Sequence, residues 1–312
     1  MRILLLHGWL RGNLGDACIT DQLLHVLRSR FPQAHLTLVS EPHGEWTVPA
    51  DLLSRVDTFI ERSYRDPVDA LIAGSDVVIN VAGGGLQDPG DPRGPCMLRD
   101  AEVCHRLGIF HAFAGHSFHA SFDLSALQGS FILAREPASH ALLASRGISA
   151  HLTADPAFLL SLPLPPAVRE GTMLFLRCWH FNRIAKHGKV LTMDDRTMEY
   201  DCEPLTLASS DPLRDDAVLT PLVDRYALRY ERCFDLSHLL RVIGSAKHVI
   251  SDRYHPVIFA AMLGLPFTFL KRKGSLRDEG LSIFLREKSI AELTELSAAG
   301  FGMMCDAMAA GR

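Results

Sequence analysis

No apolar run in this chain of 312 residues approaches the roughly 18 that a membrane-spanning helix needs. The apolar stretch at residues 3–6 is too short for a signal-peptide core, so a cytoplasmic location is expected. Peripheral contact with a membrane-bound substrate stays open. Cys18, Cys96, Cys104, Cys178, Cys202, Cys233 and Cys305 are odd in number and form no C-x-x-C pair, which argues against a disulfide frame and a zinc site. Of fifteen histidines, His111, His116 and His119 crowd one segment but lack a ligand spacing with carboxylates, so no metal is expected. A basic surplus is also missing. The formal net charge of −4 gives no footprint for a nucleic-acid partner. With neither G-x-G-x-x-G nor a Walker lysine, NAD and ATP are poorly supported.

What is present is an ordinary globular composition, 47% hydrophobic and 22% charged, on a length that suits two domains of about 150 residues. In the first half, strands are expected at residues 2–6, 35–40, 57–60, 77–82, 109–114, 131–134 and 150–153. Helices alternate with them, the first carrying Ile19, Leu23, Val26 and Leu27 on its buried face with Asp16 as its N-cap. A proline-rich stretch at 162–166 marks the boundary. Beyond it the alternation resumes, with strands expected at 173–177, 189–193, 204–208, 226–230, 248–251 and 267–270. This rhythm indicates doubly wound parallel sheets. The domains are expected at 1–165 and 166–312, with part of the helical tail crossing back onto the first.

The candidate residues lie where strands run into helices. In open α/β sheets the carboxyl edge is where ligands bind. Gly12-Asn-Leu-Gly-Asp16 follows the first strand, where glycines let backbone approach a ligand closely, and includes Asn13 and Gly15. Gly83, Gly84 and Gly85, with Asp88, follow a buried strand, and packing alone gives no obvious reason for three consecutive glycines. Arg135 and Arg177 each follow a strand, one in each half, a placement suited to holding an anion. Ser251-Asp-Arg-Tyr-His255 precedes Pro256, which suits the first helical position and puts His255 at the N-cap. That helix is expected to turn Val257, Ile258, Ala261 and Met262 inward and leave His255 off its apolar face.

Taken in order, Gly12-Asn-x-Gly-Asp16, Gly83-Gly-Gly85, Arg135 with Asp155-Pro156, Arg177, and Ser251-x-Arg-Tyr-His255 with Gly264-Leu-Pro266 resemble the polysaccharide pyruvyl transferase family. The chain departs from the family pattern at Gly115-His-Ser-Phe-His-Ala120 and at Glu136, both in the acceptor-side region. The resemblance implies a fold like that of GT-B glycosyltransferases, two Rossmann-like doubly wound domains facing a cleft. It implies transfer of pyruvate from phosphoenolpyruvate onto two hydroxyls of a saccharide or lipid-linked glycan, as a cyclic ketal. His255 and Arg253 match the functional centre, Arg177 a second functional arginine. Tyr254 and Ser251 complete the donor side. Asp16 is a candidate base, with Asn13, Gly15, the three glycines, Asp88 and Arg135 on the acceptor side or cleft. The chemistry calls for no metal and no cofactor beyond phosphoenolpyruvate as co-substrate. Two rivals remain at this stage. One is a GT-B glycosyltransferase using a nucleotide sugar, which needs a ribose-binding carboxylate such as Glu279; the other is a non-catalytic sugar-binding relative.

Overall fold

A computed structural model describes residues 1–10, 12–41, 50–81, 83–162, 168–177, 184–187, 190–193, 196–199 and 203–311. The chain divides into two compact units. One comprises Met1–Arg11, Asp16–Leu160 and Gly274–Arg312, the other Gly12–Gly15 and Ser161–Lys273. Residues 163–166 of the proline-rich stretch lie outside the described residues.

The first unit runs β1 (Arg2–Gly8), α1 (Leu14–Arg30), β2 (His35–Ser40), α2 (Ala50–Leu53), β3 (Thr58–Glu61), α3 (Asp69–Ala73) and β4 (Val77–Val81). It continues with α4 (Arg93–Leu107), β5 (Phe110–His116), β6 (Phe131–Ala134), α5 (Pro137–Ser145) and β7 (His151–Leu152). Its sheet has the order β3-β2-β1-β4-β5-β6-β7, with every pairing parallel. All five residues of β4 are buried, as a strand covered by helices on both faces should be. The chain reverses direction across the sheet between β1 and β4, the switch point of a doubly wound fold. At the tail, α9 (Leu276–Glu287) and α10 (Ile290–Ala310) belong to this unit, and Phe301, Met304, Cys305 and Met308 enter the core formed with β1, β2 and β4. Gly300 permits close approach there, because a Cβ would lie 2.4 Å from Thr153 Oγ1.

The second unit has β8 (Thr172–Phe175), β9 (Ile184–His187), β10 (Val190–Met193), β11 (Arg196–Glu199), β12 (Leu205–Ser209), α6 (Pro212–Tyr226) and β13 (Arg229–Arg232). Then come α7 (Leu236–Gly244), β14 (His248–Ser251), α8 (Tyr254–Met262) and β15 (Phe267–Phe269). The main sheet is parallel in the order β13-β12-β8-β14-β15, so its switch point falls between β8 and β14. Each unit is therefore an α/β layer of Rossmann type.

Three local expectations change. The strand expected at 189–193 is β10, and it leaves the alternation to pair antiparallel with β9 and β11 in a separate small sheet. The strand expected at 226–230 starts at Arg229, because α6 runs through Tyr226 and ends on Ala227 in the left-handed region, φ 49°. Asp16 is not the N-cap of α1 but lies inside its first turn. Asn13 Oδ1 accepts the N–H of Gly15 at 3.3 Å and takes the capping position, as a short amide side chain can.

Candidate active site

The carboxyl ends of β8 and β14 meet at the switch point of the second unit. Ser251 builds the turn that leaves β14: its hydroxyl accepts the Arg253 N–H at 2.9 Å and donates to the Arg253 carbonyl at 3.0 Å. Asp252 closes the gap to β8, its Oδ1 accepting the Arg177 N–H at 2.8 Å. Helix α8 begins at Tyr254, with Arg253 at the N-cap. His255 is thus the second residue of the helix rather than its cap, and Pro256 the third, where a missing N–H is still harmless. The first-turn amides of α8 and the side chains of Arg253, Tyr254 and His255 share one corner.

That corner is packed. Arg253 and His255 are 5% and 6% exposed. The His255 ring lies edge-on to Tyr254, centroids 5.4 Å apart, and stacks with Phe259 at 6.4 Å, so it helps to fill the core instead of standing clear of it. Gly15 is required beside it, because a Cβ at that position would lie 2.0 Å from His255 Nδ1. Leu14 anchors the same segment by donating its N–H to the Ser210 carbonyl at 2.9 Å.

Arg253 does not stand as an isolated cation. Its Nη2 pairs with Asp215 of α6, which in turn accepts from Ser209 Oγ at 2.5 Å. Burial favours the neutral guanidine, but the charges of Asp215, Asp211 and Asp252 outweigh that and raise the Arg253 pKa. Burial also raises that of Asp215, against the pull of Arg253 and Ser209. Among the described residues, Arg253 Nε is buried with no hydrogen-bond partner. Asp215 and Ser209 lie outside the sequence motifs. The signal for them was a helix start at Pro212, three residues past the end of β12.

In the first unit, Asp16 and the glycine turn come together. Gly83 and Gly85 hold φ of 144° and 94°, and a Cβ on Gly83 would lie 3.5 Å from Asp16 Cγ. A Cβ on Gly84 would lie 2.0 Å from Arg93 Nη2, and one on Gly85 2.7 Å from Met97 Sδ. Backbone conformation thus calls for glycine at Gly83 and Gly85, while Gly84 lies against the guanidinium of Arg93. Asp88 is an exposed turn residue whose Oδ1 accepts the Gly90 N–H at 2.9 Å.

Arg135 is 1% exposed and sits in a buried network. It donates Nε to Ser117 Oγ at 2.8 Å, Nη1 to Asp155 Oδ2 at 2.8 Å and Nη2 to Gln87 Oε1 at 3.0 Å. Arg277 of α9 reaches the same Gln87 oxygen at 3.2 Å. Beside it, Glu136 accepts from Ser117 at 3.0 Å and from Ser139. Burial pushes the Glu136 carboxyl up to about 7, although Arg135, Ser139, Ser117 and Arg277 pull it down. This network ties β6, α5 and α9 together, and Arg135 has the surroundings of an internal tie.

Among the described residues, no cluster of three or more histidine, cysteine or carboxylate side chains has the geometry to hold a metal ion, and no helix is long and apolar enough to cross a membrane. Comparison of the sequence with curated proteins returns no match. The chain is similar to solved structures that include the following three. The S. aureus MnaA–UDP co-structure has 11% identity and a TM-score of 0.56, over 90% of this chain and 82% of that one. A Methanocaldococcus jannaschii UDP-GlcNAc 2-epimerase in complex with UDP-GlcNAc and UDP has 10% identity and a TM-score of 0.54, over 92% and 94%. The Neisseria meningitidis UDP-GlcNAc 2-epimerase bound to UDP-GlcNAc has 9% identity and a TM-score of 0.51, over 98% and 99%. At these identities the likeness concerns the fold, which is GT-B-like. The sequence model for polysaccharide pyruvyl transferase matches residues 13–274.

Proposed function

This chain belongs to the polysaccharide pyruvyl transferase family, and from that membership we propose that it moves a pyruvyl group from phosphoenolpyruvate to a saccharide or lipid-linked glycan. Two hydroxyls of the acceptor are joined to the pyruvyl carbon as a cyclic ketal. The observation that carries the proposal is the buried turn after β14, which sets Arg253 and His255 side by side at the start of a helix within a chain that matches the family. The donor brings a carboxylate and a phosphate. Arg253 Nε, the half-buried Arg177 and the first-turn amides of α8 suit those anionic oxygens, since charge-assisted hydrogen bonds to oxyanions are the strong ones. A buried donor left without an acceptor costs roughly 1–3 kcal/mol, and a ligand oxygen at Nε relieves that.

In this reading His255 gives a proton to the methylene carbon of phosphoenolpyruvate, and the adjacent carbon takes up positive charge. The first acceptor hydroxyl attacks that carbon and releases its proton to a base. The second hydroxyl then displaces phosphate, which leaves carrying that hydroxyl's proton, and the ring closes. Overall, one hydroxyl proton is replaced on His255 through solvent and the other departs with phosphate. Asp16, at the amino end of α1, serves the acceptor side. No cofactor beyond the co-substrate enters.

The test uses the full chain, phosphoenolpyruvate and a panel of hexose and N-acetylhexosamine glycosides. The expected result is phosphate release together with a glycoside heavier by one pyruvate less one water. His255→Asn should lose ~10²–10⁴ in turnover, the usual contribution of positioned proton transfer, while retaining phosphoenolpyruvate affinity. Near-normal turnover in that variant would remove His255 as the acid. The solved neighbours in complexes with UDP and UDP-GlcNAc favour one second reading, nucleotide-sugar use. The carboxylate it would use, Glu279, lies exposed in the first turn of α9. Consumption of UDP-GlcNAc by the chain, with phosphoenolpyruvate inert, would replace the proposal with that reading.

A further inference from the structure

Two arginines are buried just past the carboxyl ends of strands, and their guanidiniums are used differently. Arg135, in the first unit, directs all three side-chain nitrogens to protein acceptors: Nε to Ser117, Nη1 to Asp155 and Nη2 to Gln87. Arg253, in the second unit, is held at Nη2 by Asp215, and its Nε is buried with no hydrogen-bond partner among the described residues. An arginine that only ties elements together gains nothing from a buried N–H left unmatched, since such a donor costs stability. An arginine held by one nitrogen so as to present another has a reason to keep it.

The hold on Arg253 is itself fixed. Asp215 lies in the first turn of α6, and both of its oxygens are engaged: Oδ1 accepts from Arg253 Nη2, and Oδ2 accepts from Ser209 Oγ at 2.5 Å. Ser209 ends β12 and is fully buried, and its hydroxyl also accepts the Asp211 N–H at 3.0 Å. That backbone bond sets the hydroxyl, the hydroxyl sets the carboxylate, and the carboxylate sets the guanidinium. Ser251 fixes the main chain of Arg253 through both its N–H and its carbonyl. Asp252 and Asp211 add negative charge nearby but are engaged elsewhere, the first with the Arg177 N–H and the second 3.9 Å from Arg214. All of these residues belong to the second unit. Functional groups locked in this way by supporting hydrogen bonds hold the geometry that a ligand needs before it arrives.

Resting on the proposed use of phosphoenolpyruvate, we infer that Asp215 is a positioning residue of the donor site and that Ser209 sets its rotamer. Together they turn the Arg253 guanidinium so that Nε–H meets an oxygen of the donor's carboxylate or phosphate. Asp215 does not touch the donor, because two anions would repel. Its effect passes through Arg253, so it governs donor affinity more than turnover at saturation.

The test follows the Nε–H signal of Arg253 by NMR on the full chain carrying isotope-labelled arginine. The signal is identified by its loss in Arg253→Lys, which leaves Asp215 a cation. Phosphoenolpyruvate, pyruvate, inorganic phosphate and UDP-GlcNAc are titrated separately. Phosphoenolpyruvate should shift the signal in the wild type, and a matching shift with pyruvate or with phosphate tells which of the donor's two anionic groups Nε meets. Asp215→Ala should weaken phosphoenolpyruvate binding by roughly 10-fold or more, the scale of a hydrogen bond to a charged group. Asp215→Asn keeps an acceptor for Nη2 and should restore most of that affinity. Should Asp215→Ala not fold, Ser209→Ala keeps both charges and removes only the aligning hydroxyl. It too should bind phosphoenolpyruvate more weakly, with turnover at saturation reduced less than affinity. Wild-type affinity in Ser209→Ala, an Asn variant as weak as the Ala variant, or an Nε signal that none of the four compounds shifts would overturn the inference. A shift with UDP-GlcNAc and none with phosphoenolpyruvate would instead end the proposed function, and a weaker UDP-GlcNAc response in Ser209→Ala would still support the positioning role.

Discussion

Removing the Arg253 guanidinium acts on two things at once. Asp215, 0% exposed, would be left as a buried charge without its partner, and breaking such a pair destabilises by roughly 3–5 kcal/mol. Arg253→Ala should therefore lose phosphoenolpyruvate binding and much of its resistance to urea. The double variant Arg253→Met with Asp215→Asn should regain most of the stability, because Ser209 keeps an acceptor and no lone charge remains. It should still fail to bind the donor. Recovery of both properties would show that Arg253 only holds the turn. Glu136 offers a separate test. The folded state raises its carboxyl from 4.5 to about 7, so the native protein holds a proton that the unfolded chain has lost. That contribution is fully present below pH 4.5 and is lost as pH rises through about 7, a fall of about 3 kcal/mol at 1.36 kcal/mol per pKa unit. Glu136→Gln does not titrate, so its stability relative to wild type should grow across that window, as read by urea unfolding at both ends. A constant difference would mean that Glu136 is ionised in the fold at ordinary pKa. At this scale the sequence showed which residue types meet a strand end. It could not show that Arg253 has an aspartate partner 38 residues away, or that Arg135 is sealed inside.

Helix starts set the geometry of the corner around His255. The amino end of α1 passes so close that Gly15 has no room for a side chain. Alanine is ordinarily the better helix former by roughly 0.5–1 kcal/mol, so Gly15→Ala should keep its helix content while pushing the imidazole aside. A misplacement of about 1 Å can cost 10²-fold, and a loss of that order in turnover is the expected outcome. Unchanged turnover would show that the His255 ring position does not matter to the reaction. Strand-to-helix boundaries were largely legible here: β6, β14 and α5 follow hydrophobic runs closed by polar turn residues or proline, and Asp235 caps α7 through the His238 N–H at 2.6 Å. Two elements were not. Pro221 inside α6 breaks the helical pattern that would have shown the helix carrying Asp215. The bulge in β1 between Leu5 and Gly8 leaves no mark at all, because Leu-Leu-Leu-His-Gly reads as an unbroken strand end.

Across the whole chain, the alternation of strands and helices was enough to give two parallel α/β layers, since a buried parallel strand such as β4 or β12 is apolar on both faces and easy to recognise. The excursion β9–β11 was not recoverable, because a short strand looks the same whether it pairs parallel or antiparallel. The matched family and the GT-B-like fold leave one question above the others, which is the donor. Isothermal calorimetry of the full chain with phosphoenolpyruvate and, separately, with UDP-GlcNAc addresses it without knowledge of the acceptor. Pyruvyl transfer predicts saturable binding of phosphoenolpyruvate that Arg253→Ala abolishes, and no heat of binding from UDP-GlcNAc. Saturable binding of UDP-GlcNAc, with phosphoenolpyruvate silent, would contradict it.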